Sequence, residues 1–200
     1  MQATDLSKKA PPEPIRVLGI DPGSVVAGWG LVEQSGNRLT FLAGGVFRPP
    51  KADLPVRLAH LHHRLCSVLD EHRPDAVAVE SVFHAKHARS ALVLGHARGV
   101  LLLAAAQRKL PIHEYAPAAV KKAVTGDGSA RKDQVRKMVE LLLAQSVTGP
   151  HDQSDALAVA ICHAQVGRVQ GKLAELERSL GGGRRRSSRR HPALRLKQKG

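Results

Sequence analysis

Four acidic residues in this chain stand where carboxylates could hold divalent metal ions: Asp21, Glu80, Asp152 and Asp155. Asp21 and Glu80 each end a short apolar run, whereas Asp152 and Asp155 come three residues apart at the start of a helical pattern. Paired carboxylates can hold two hard cations roughly 3.5–4 Å apart, an arrangement that supports in-line displacement at a phosphoryl group. The residue types and the spacing of these four acids therefore indicate metal-dependent chemistry at a phosphoryl group.

Each of these acids also has an ordinary structural explanation. Asp21 opens an Asp-Pro-Gly turn, and Glu80 could be the solvated end of a strand. Asp152 is a favoured type for a helix N-cap, and Asp155 would suit the positive end of the helix dipole. However, two acids on one helix face repel each other unless they share a cation. The four together favour a metal site.

Alternation and turn residues predict the elements of the first half of the chain. Strands are predicted over 15–21, 25–33 and 38–47, and their short turns indicate an antiparallel meander. Leucines at helical spacing predict a helix over 54–72. The nearly all-apolar segment 75–80 is typical of a strand buried on both faces.

The second half of the chain is predicted to be mainly helical. We expect a helix over 88–108, a strand over 112–115, and three further helices over 117–124, 131–144 and 152–180. Three strands followed by alternating helices and strands predict an α/β fold, a mixed five-stranded sheet flanked by helices.

The helix predicted over 88–108 has an apolar middle and two glycines, Gly95 and Gly99, one turn apart. Glycine normally destabilises a helix, so a closely packed partner is expected there.

The composition is that of a folded domain with few aromatic residues. Hydrophobic residues make up 42% of the chain and aromatic residues 2%, so aliphatic side chains must fill the core. No apolar stretch reaches the ~18 residues that a membrane span requires, and we expect no membrane association. Cys66 and Cys162 lack metal-ligand spacing, which favours reduced thiols in a cytoplasmic protein.

Positive charge is concentrated at the carboxyl end of the chain. Lys and Arg number 31 against 17 Asp and Glu, and residues 184–200 contain eight basic residues and no acid. Such segments are usually disordered and bind polyanions, and nucleic acid is the leading candidate partner.

Other side chains could contact nucleic acid near the acids. Phe83 lies in a polar loop and is either a core anchor or an exposed wedge against an unstacked base. Lys86 is a candidate phosphate contact because it follows Glu80 closely, and His151 is a possible accessory base or ligand beside Asp152. The remaining basic candidates are Arg89, Arg98, Lys121, Lys122, Arg131 and Lys132.

Five segments fall in the order and spacing of a known family: 19–24 (Gly-Ile-Asp-Pro-Gly-Ser), 80–83, 91–100, 115–121 and 152–163. On these segments the chain resembles the RuvC family of bacterial Holliday junction resolvases, over about 15–166. The resemblance implies an RNase H-like fold, a homodimer, and Mg²⁺-dependent symmetric nicking of four-way DNA junctions. It further implies two Mg²⁺ ions per site, with Mn²⁺ as a substitute, and the partner proteins RuvA and RuvB.

The same resemblance implies roles for individual residues. It makes Asp21, Glu80, Asp152 and Asp155 the metal-binding catalytic acids. It makes Phe83 the aromatic contact to the junction, and Lys121 and Lys132 contacts to DNA.

We therefore predict a junction-resolving endonuclease of homologous recombination and DNA repair that leaves 5′-phosphate and 3′-hydroxyl ends. One metal would activate water and the other would stabilise the leaving 3′ oxygen. The predicted organisation is a flexible leader at 1–14, an RNase H-like nuclease domain at 15–180, and a basic disordered tail at 181–200.

Two alternatives are a hybrid ribonuclease of related fold and a non-catalytic or ATPase relative with an actin-like fold. The actin-like architecture is duplicated, and it would need far more than the 200 residues present and a second phosphate loop.

Overall fold

The computed structural model describes residues 13–23, 25–81 and 88–181. Its elements follow the order predicted from the sequence, with boundaries that agree to within one or two residues: β1 (Ile15–Asp21), β2 (Ala27–Ser35), β3 (Arg38–Phe47), α1 (Leu54–His72), β4 (Ala76–Glu80), α2 (Ala88–Gln107), β5 (Ile112–Tyr115), α3 (Pro117–Thr125), α4 (Lys132–Leu143) and α5 (His151–Gly181).

The five strands form one mixed sheet in the order β3-β2-β1-β4-β5. β1, β2 and β3 pair antiparallel, as their short turns predicted, and Gly36 adopts a φ of 59° in the turn between β2 and β3. β4 pairs parallel with β1 on one side and with β5 on the other. The predicted α/β fold with a mixed five-stranded sheet is confirmed.

Each face of the sheet is covered by a different set of helices, because side chains alternate along every strand. Leu18 and Ile20 of β1 lie in a core that includes buried leucines of α1 and α2. Val17 of β1 and Ala78 of β4 lie in the opposite core, with buried side chains of α3, α4 and α5. We call this second surface the α5 face.

Two of the helices begin with a proline and end at a residue in the left-handed region. α1 has Pro55 in its first turn and ends where Arg73, in the left-handed region, donates its N–H to the Leu69 carbonyl. α3 likewise begins at Pro117 and ends at Gly126, whose φ is 83°. Proline fixes the first helical turn, and glycine adopts the left-handed cap without steric cost.

α2 is the one helix among the described residues whose length and hydropathy would suit a membrane span. Its mean hydropathy of 1.3 and its 20 residues would suffice to cross a membrane, although charged side chains interrupt every long apolar run. The helix packs on the core through Ala97, Leu101, Ala104 and Ala105, which are buried. Core helices of folded domains meet the same criterion of length and composition. Only 22% of the apolar window is buried, so much of this helix faces outward.

Both cysteines are free thiols, as predicted, with Cys162 buried and Cys66 half-buried.

The chain divides into two compact units, Met1–Arg168 and Val169–Gly200. The first unit contains the sheet and its helices. Within the second unit, residues 169–181 are helical. The predicted leader and tail fall largely outside the described residues, and those boundaries stay predictions.

Candidate active site at the carboxyl ends of β1 and β4

Asp21 and Glu80 end two neighbouring parallel strands. The register pairs Ile20 of β1 with Val79 of β4, so the next residue on each strand is one of these acids. Alternation places both acids on the α5 face, because the residue two positions before Glu80, Ala78, lies in that core. Two acids 59 residues apart in sequence therefore end side by side.

Glycines on the α5 face let α5 lie directly on the sheet. A Cβ atom at Gly28 would collide with the main-chain carbonyl of Asp152, and one at Gly19 would collide with that of Ala156. Gly28 is also the residue of β2 paired with Asp21. The amino end of α5, which carries Asp152 and Asp155, is thus brought to the end of β1.

Burial and mutual repulsion make the four acids one electrostatic cluster. Burial, followed by the negative charges of the neighbouring acids Glu80, Asp155 and Asp152, raises the pKa of Asp21 to about 7. The pKa of Glu80 is also raised, first by burial and then by the charge of Asp155. The structure brings together all four acids that the sequence singled out.

Two lysines supply positive charge beside these acids. The Lys132 ammonium donates to Asp155 Oδ2 over 3.0 Å, and this contact raises the pKa of the lysine. The charge of Lys132 offsets part of the rise in pKa that burial and the other acids cause at Asp21 and Glu80, and the charge of Lys121 does so at Glu80. Both lysines expected to contact DNA therefore lie next to the acids.

The acids fit a hard divalent cation by ligand type and by charge. Carboxylate oxygens are the ligands that Mg²⁺ prefers, and a cation would relieve the repulsion that raises the pKa of Asp21. Within residues 13–23, 25–81 and 88–181, no three His, Cys, Asp or Glu side chains converge on a single ion position. The carboxylate of Asp155 instead pairs with the ammonium of Lys132.

The other predicted site residues have different outcomes. His151 is the exposed first residue of α5, and its main-chain carbonyl accepts a hydrogen bond of 2.9 Å from Ser154 Oγ. Its role as accessory base stays a prediction. Phe83 and Lys86 fall within 82–87, outside the described residues, so their contacts with DNA stay predictions as well.

Two groups near the site were missed at the level of sequence. Tyr115 of β5 is the register partner of Glu80 of β4. Its hydroxyl lies 2.7 Å from Nδ1 of His163 on α5. The glycines at 19, 28 and 30 were also missed. Their alternate spacing is the signal that could have shown which strand face carries a closely packed helix.

Comparison with known proteins gives consistent matches. A family model described as crossover junction endodeoxyribonuclease RuvC matches residues 17–163. A protein of that description from Myxococcus xanthus is 54% identical over 158 residues, which cover 78% of this chain and 83% of the relative. Another from Ruegeria pomeroyi is 48% identical over 156 residues, which cover 78% of this chain and 94% of the relative.

Solved structures agree with these matches. Thermus thermophilus RuvC in complex with a Holliday junction substrate is 35% identical, with a TM-score of 0.73, covering 78% of this chain and 96% of that one. The yeast mitochondrial Holliday junction resolvase, 18% identical with a TM-score of 0.59 and covering 86% of each chain, shares the fold. The predicted RNase H-like fold is confirmed.

Proposed function

Because this chain belongs to the RuvC family of crossover junction endodeoxyribonucleases, we propose that it resolves four-way Holliday junctions by paired nicks. The observation that carries the proposal is the cluster of Asp21, Glu80, Asp152 and Asp155 on one face of the sheet. The Thermus thermophilus relative solved with a Holliday junction supports a junction as the substrate. The nicks would leave 5′-phosphate and 3′-hydroxyl ends and serve homologous recombination and DNA repair.

The four carboxylates would hold two Mg²⁺ ions, for which Mn²⁺ would substitute. When bound, these ions would activate water and offset charge on the leaving 3′ oxygen. Asp21 has to lose its proton to act as a ligand, and the nearby Lys132 favours that ionised form. Lys121 and Lys132 would bind the phosphates that flank the scissile bond, together with Lys86.

A symmetric four-armed substrate cut on opposing strands calls for two active sites related by a two-fold axis. We propose a homodimer in which α2 forms the interface. Among the residues that the structure describes, none comes within 4 Å of a Cβ atom built at Gly95 or Gly99, so both glycines are uncovered by that part of the chain. Leu92 and Leu103 of the same helix are 63% and 50% exposed. An exposed apolar helix face with small residues lets a second helix approach closely.

Sedimentation at micromolar concentration tests the dimer, with Gly99→Leu as the variant and Gly167→Leu as the control on another helix. Gly99→Leu should weaken association because leucine would hold the two helices apart. A monomer in the wild-type protein, with and without DNA, would contradict the proposal.

The remaining assignments concern the cellular setting. We propose RuvA and RuvB as partners in branch migration, and the cytoplasm as the location. The two free thiols are consistent with a reducing compartment.

Incubation with a synthetic four-way junction and Mg²⁺, scored for symmetric nicks, tests the activity. Asp21→Asn, Glu80→Gln, Asp152→Asn and Asp155→Asn should each abolish nicking and leave junction binding intact. Asp133→Asn is the matched control, because this acid neighbours Lys132 but pairs with Arg131 over 3.3 Å. A nicking rate near wild type for one of the four variants would remove that residue from the site. Preferential cleavage of an RNA–DNA hybrid would favour the ribonuclease alternative.

A further inference from the structure

A hydrogen bond outside the acidic cluster joins the last strand of the sheet to α5. The hydroxyl of Tyr115, at the end of β5, lies 2.7 Å from Nδ1 of His163, and both groups are partly buried. The His163 ring also contacts the edge of the Tyr115 ring and lies against His113, with centroids 5.9 Å and 4.2 Å away. The rings of Tyr115 and His113 on β5 thus both contact the ring of His163 on α5.

On the side of the sheet, Tyr115 is linked to Glu80. The two residues are partners in the parallel register of β4 and β5. The N–H of Ser81, which directly follows Glu80 and is 8% exposed, donates to the Tyr115 carbonyl over 2.8 Å. The main-chain position of Glu80, at the end of β4, is therefore tied to the position of Tyr115. Two residues beyond Tyr115, Pro117 begins the helix that carries Lys121.

On the side of the helix, His163 is linked to Asp155. His163 comes eight positions after Asp155, about two turns along α5, so both side chains lie near one face of the same helix. Close contact with Gly19 and Gly28 fixes the height of α5 above the sheet. On the β5 side, α5 is joined to the sheet through the hydrogen bond between His163 and Tyr115.

We propose that Tyr115 and His163 are positioning residues, whose hydrogen bond holds Glu80 of β4 and Asp155 of α5 in the relative placement that the site requires. This inference rests on the proposed function, because it assigns the pair to the same four-acid site.

The protonation states suit this hydrogen bond. Burial and the neighbouring His113 lower the pKa of His163 to about 4, so its ring is neutral at neutral pH. Burial raises the pKa of Tyr115, so its hydroxyl keeps its proton. Both groups are therefore neutral, and the hydrogen bond needs only one of them to supply the hydrogen; with the Tyr115 hydroxyl as donor to Nδ1, the His163 ring carries its own proton on Nε2.

Tyr115→Phe removes the hydroxyl and keeps the ring. The nicking rate at saturating junction should fall about tenfold, a typical effect of losing a group that orients a metal ligand. Mn²⁺ affinity, measured by electron paramagnetic resonance of the free ion, should fall by a similar factor. Junction affinity without divalent ions should stay within about twofold, because the phosphate contacts are unchanged.

Variants of His163 and His113 supply the controls. His163→Asn places an amide oxygen near the position of Nδ1 and should retain most of the rate and of the Mn²⁺ affinity. His163→Leu should match Tyr115→Phe, and the double variant Tyr115→Phe/His163→Leu should be no worse than either single variant. His113→Phe keeps a ring against His163 and should behave like wild type.

The outcomes separate the pair from the active site itself. A wild-type protein that neither nicks junctions nor binds Mn²⁺ would overturn the proposed function. If the wild type is active and Tyr115→Phe is equally active, the positioning role of Tyr115 and His163 is overturned and the proposed function stands. A lower melting temperature of Tyr115→Phe with wild-type nicking and Mn²⁺ affinity, or additive losses in the double variant, would assign the hydrogen bond to stability and overturn positioning.

Discussion

Asp21 shows how the site is built at the scale of single residues. It lies between a strand end and a helix end, where burial and three neighbouring acids all disfavour its charge. Lys132 opposes these effects only in part, since its closest contact is with Asp155. The protein keeps ionisable groups in an unfavourable arrangement that a bound cation would relieve, and such stored repulsion is typical of functional sites.

This arrangement predicts a pH-dependent cost of folding without divalent ions. The folded-state pKa of Asp21, about 7, exceeds its unfolded value, so its contribution to stability is present at low pH and is lost as pH rises through 7. From pH 5 to pH 8 the unfolding free energy should fall by about 3 kcal/mol more in wild type than in Asp21→Asn. Urea denaturation of both proteins with a chelator checks this difference. Parallel curves for the two proteins would show that Asp21 is ordinarily ionised.

Mutation of Phe83 distinguishes the two interpretations of that residue. As a wedge that stacks on an unpaired base, Phe83 would contribute about 1–3 kcal/mol per base at the junction. Phe83→Ala should then lower junction cleavage far more than stability, and Phe83→Trp or Phe83→Tyr should keep part of the activity. As a core anchor, its truncation should instead cost about 3–5 kcal/mol of folding free energy. A thermal melt of Phe83→Ala beside its nicking rate decides between them, and a collapsed melting temperature would end the wedge hypothesis.

At the scale of elements, the site depends on how closely α5 lies on β1 and β2. A helix normally rests on a layer of side chains, but here glycines bring its main chain onto the strands. This close approach places Asp152 and Asp155 at the level of the strand ends. The four acids therefore meet because of residues that carry no functional group.

Gly28→Ala tests the importance of this close approach. The added methyl group would collide with the main chain of Asp152, and overpacking of this kind typically costs about 1–3 kcal/mol. Nicking should fall at least about tenfold at a temperature where the variant is folded, because Asp152 is displaced. Gly167→Ala is the matched control on α5, since a Cβ atom there would meet none of the described residues within 4 Å and alanine favours a helix. Equal activity of both variants would show that α5 tolerates displacement.

At the scale of the whole molecule, charge is divided between two functions. The net charge of +14 attracts DNA, whereas the acidic cluster occupies one small part of the sheet. Residues 184–200 hold eight of the 31 Lys and Arg residues and lie outside the described part of the chain. Basic residues in such a segment contact phosphates and carry no sequence or shape information.

Deletion of 184–200 should therefore reduce the salt dependence of DNA binding and leave the preference for junctions. The slope of log affinity against log salt should become shallower, because fewer counterions are released. Titrations of four-way and duplex DNA at several salt concentrations measure both quantities. Loss of the preference for junctions over duplex would show that recognition is not confined to the folded core.

The sequence alone determined the local structure of this protein and the identity of the acids. Hydrophobic periodicity, proline and glycine depend on residues a few positions apart, and the predicted elements match the observed ones closely. Asp21, Glu80, Asp152 and Asp155 were identifiable because charged residues at the ends of apolar segments are unusual. The motifs around them carried the resemblance to a family that the comparisons then confirmed.

The tertiary structure decided which residues meet. Parallel pairing of β1 with β4 places Asp21 beside Glu80, and no local pattern encodes a contact across 59 residues. The contact of Lys132 with Asp155 and that of Tyr115 with His163 likewise join separate elements. Such contacts arise when whole faces of helices and sheets pack together, since the free energy of burial depends on shape and area and is not specific to single residue pairs.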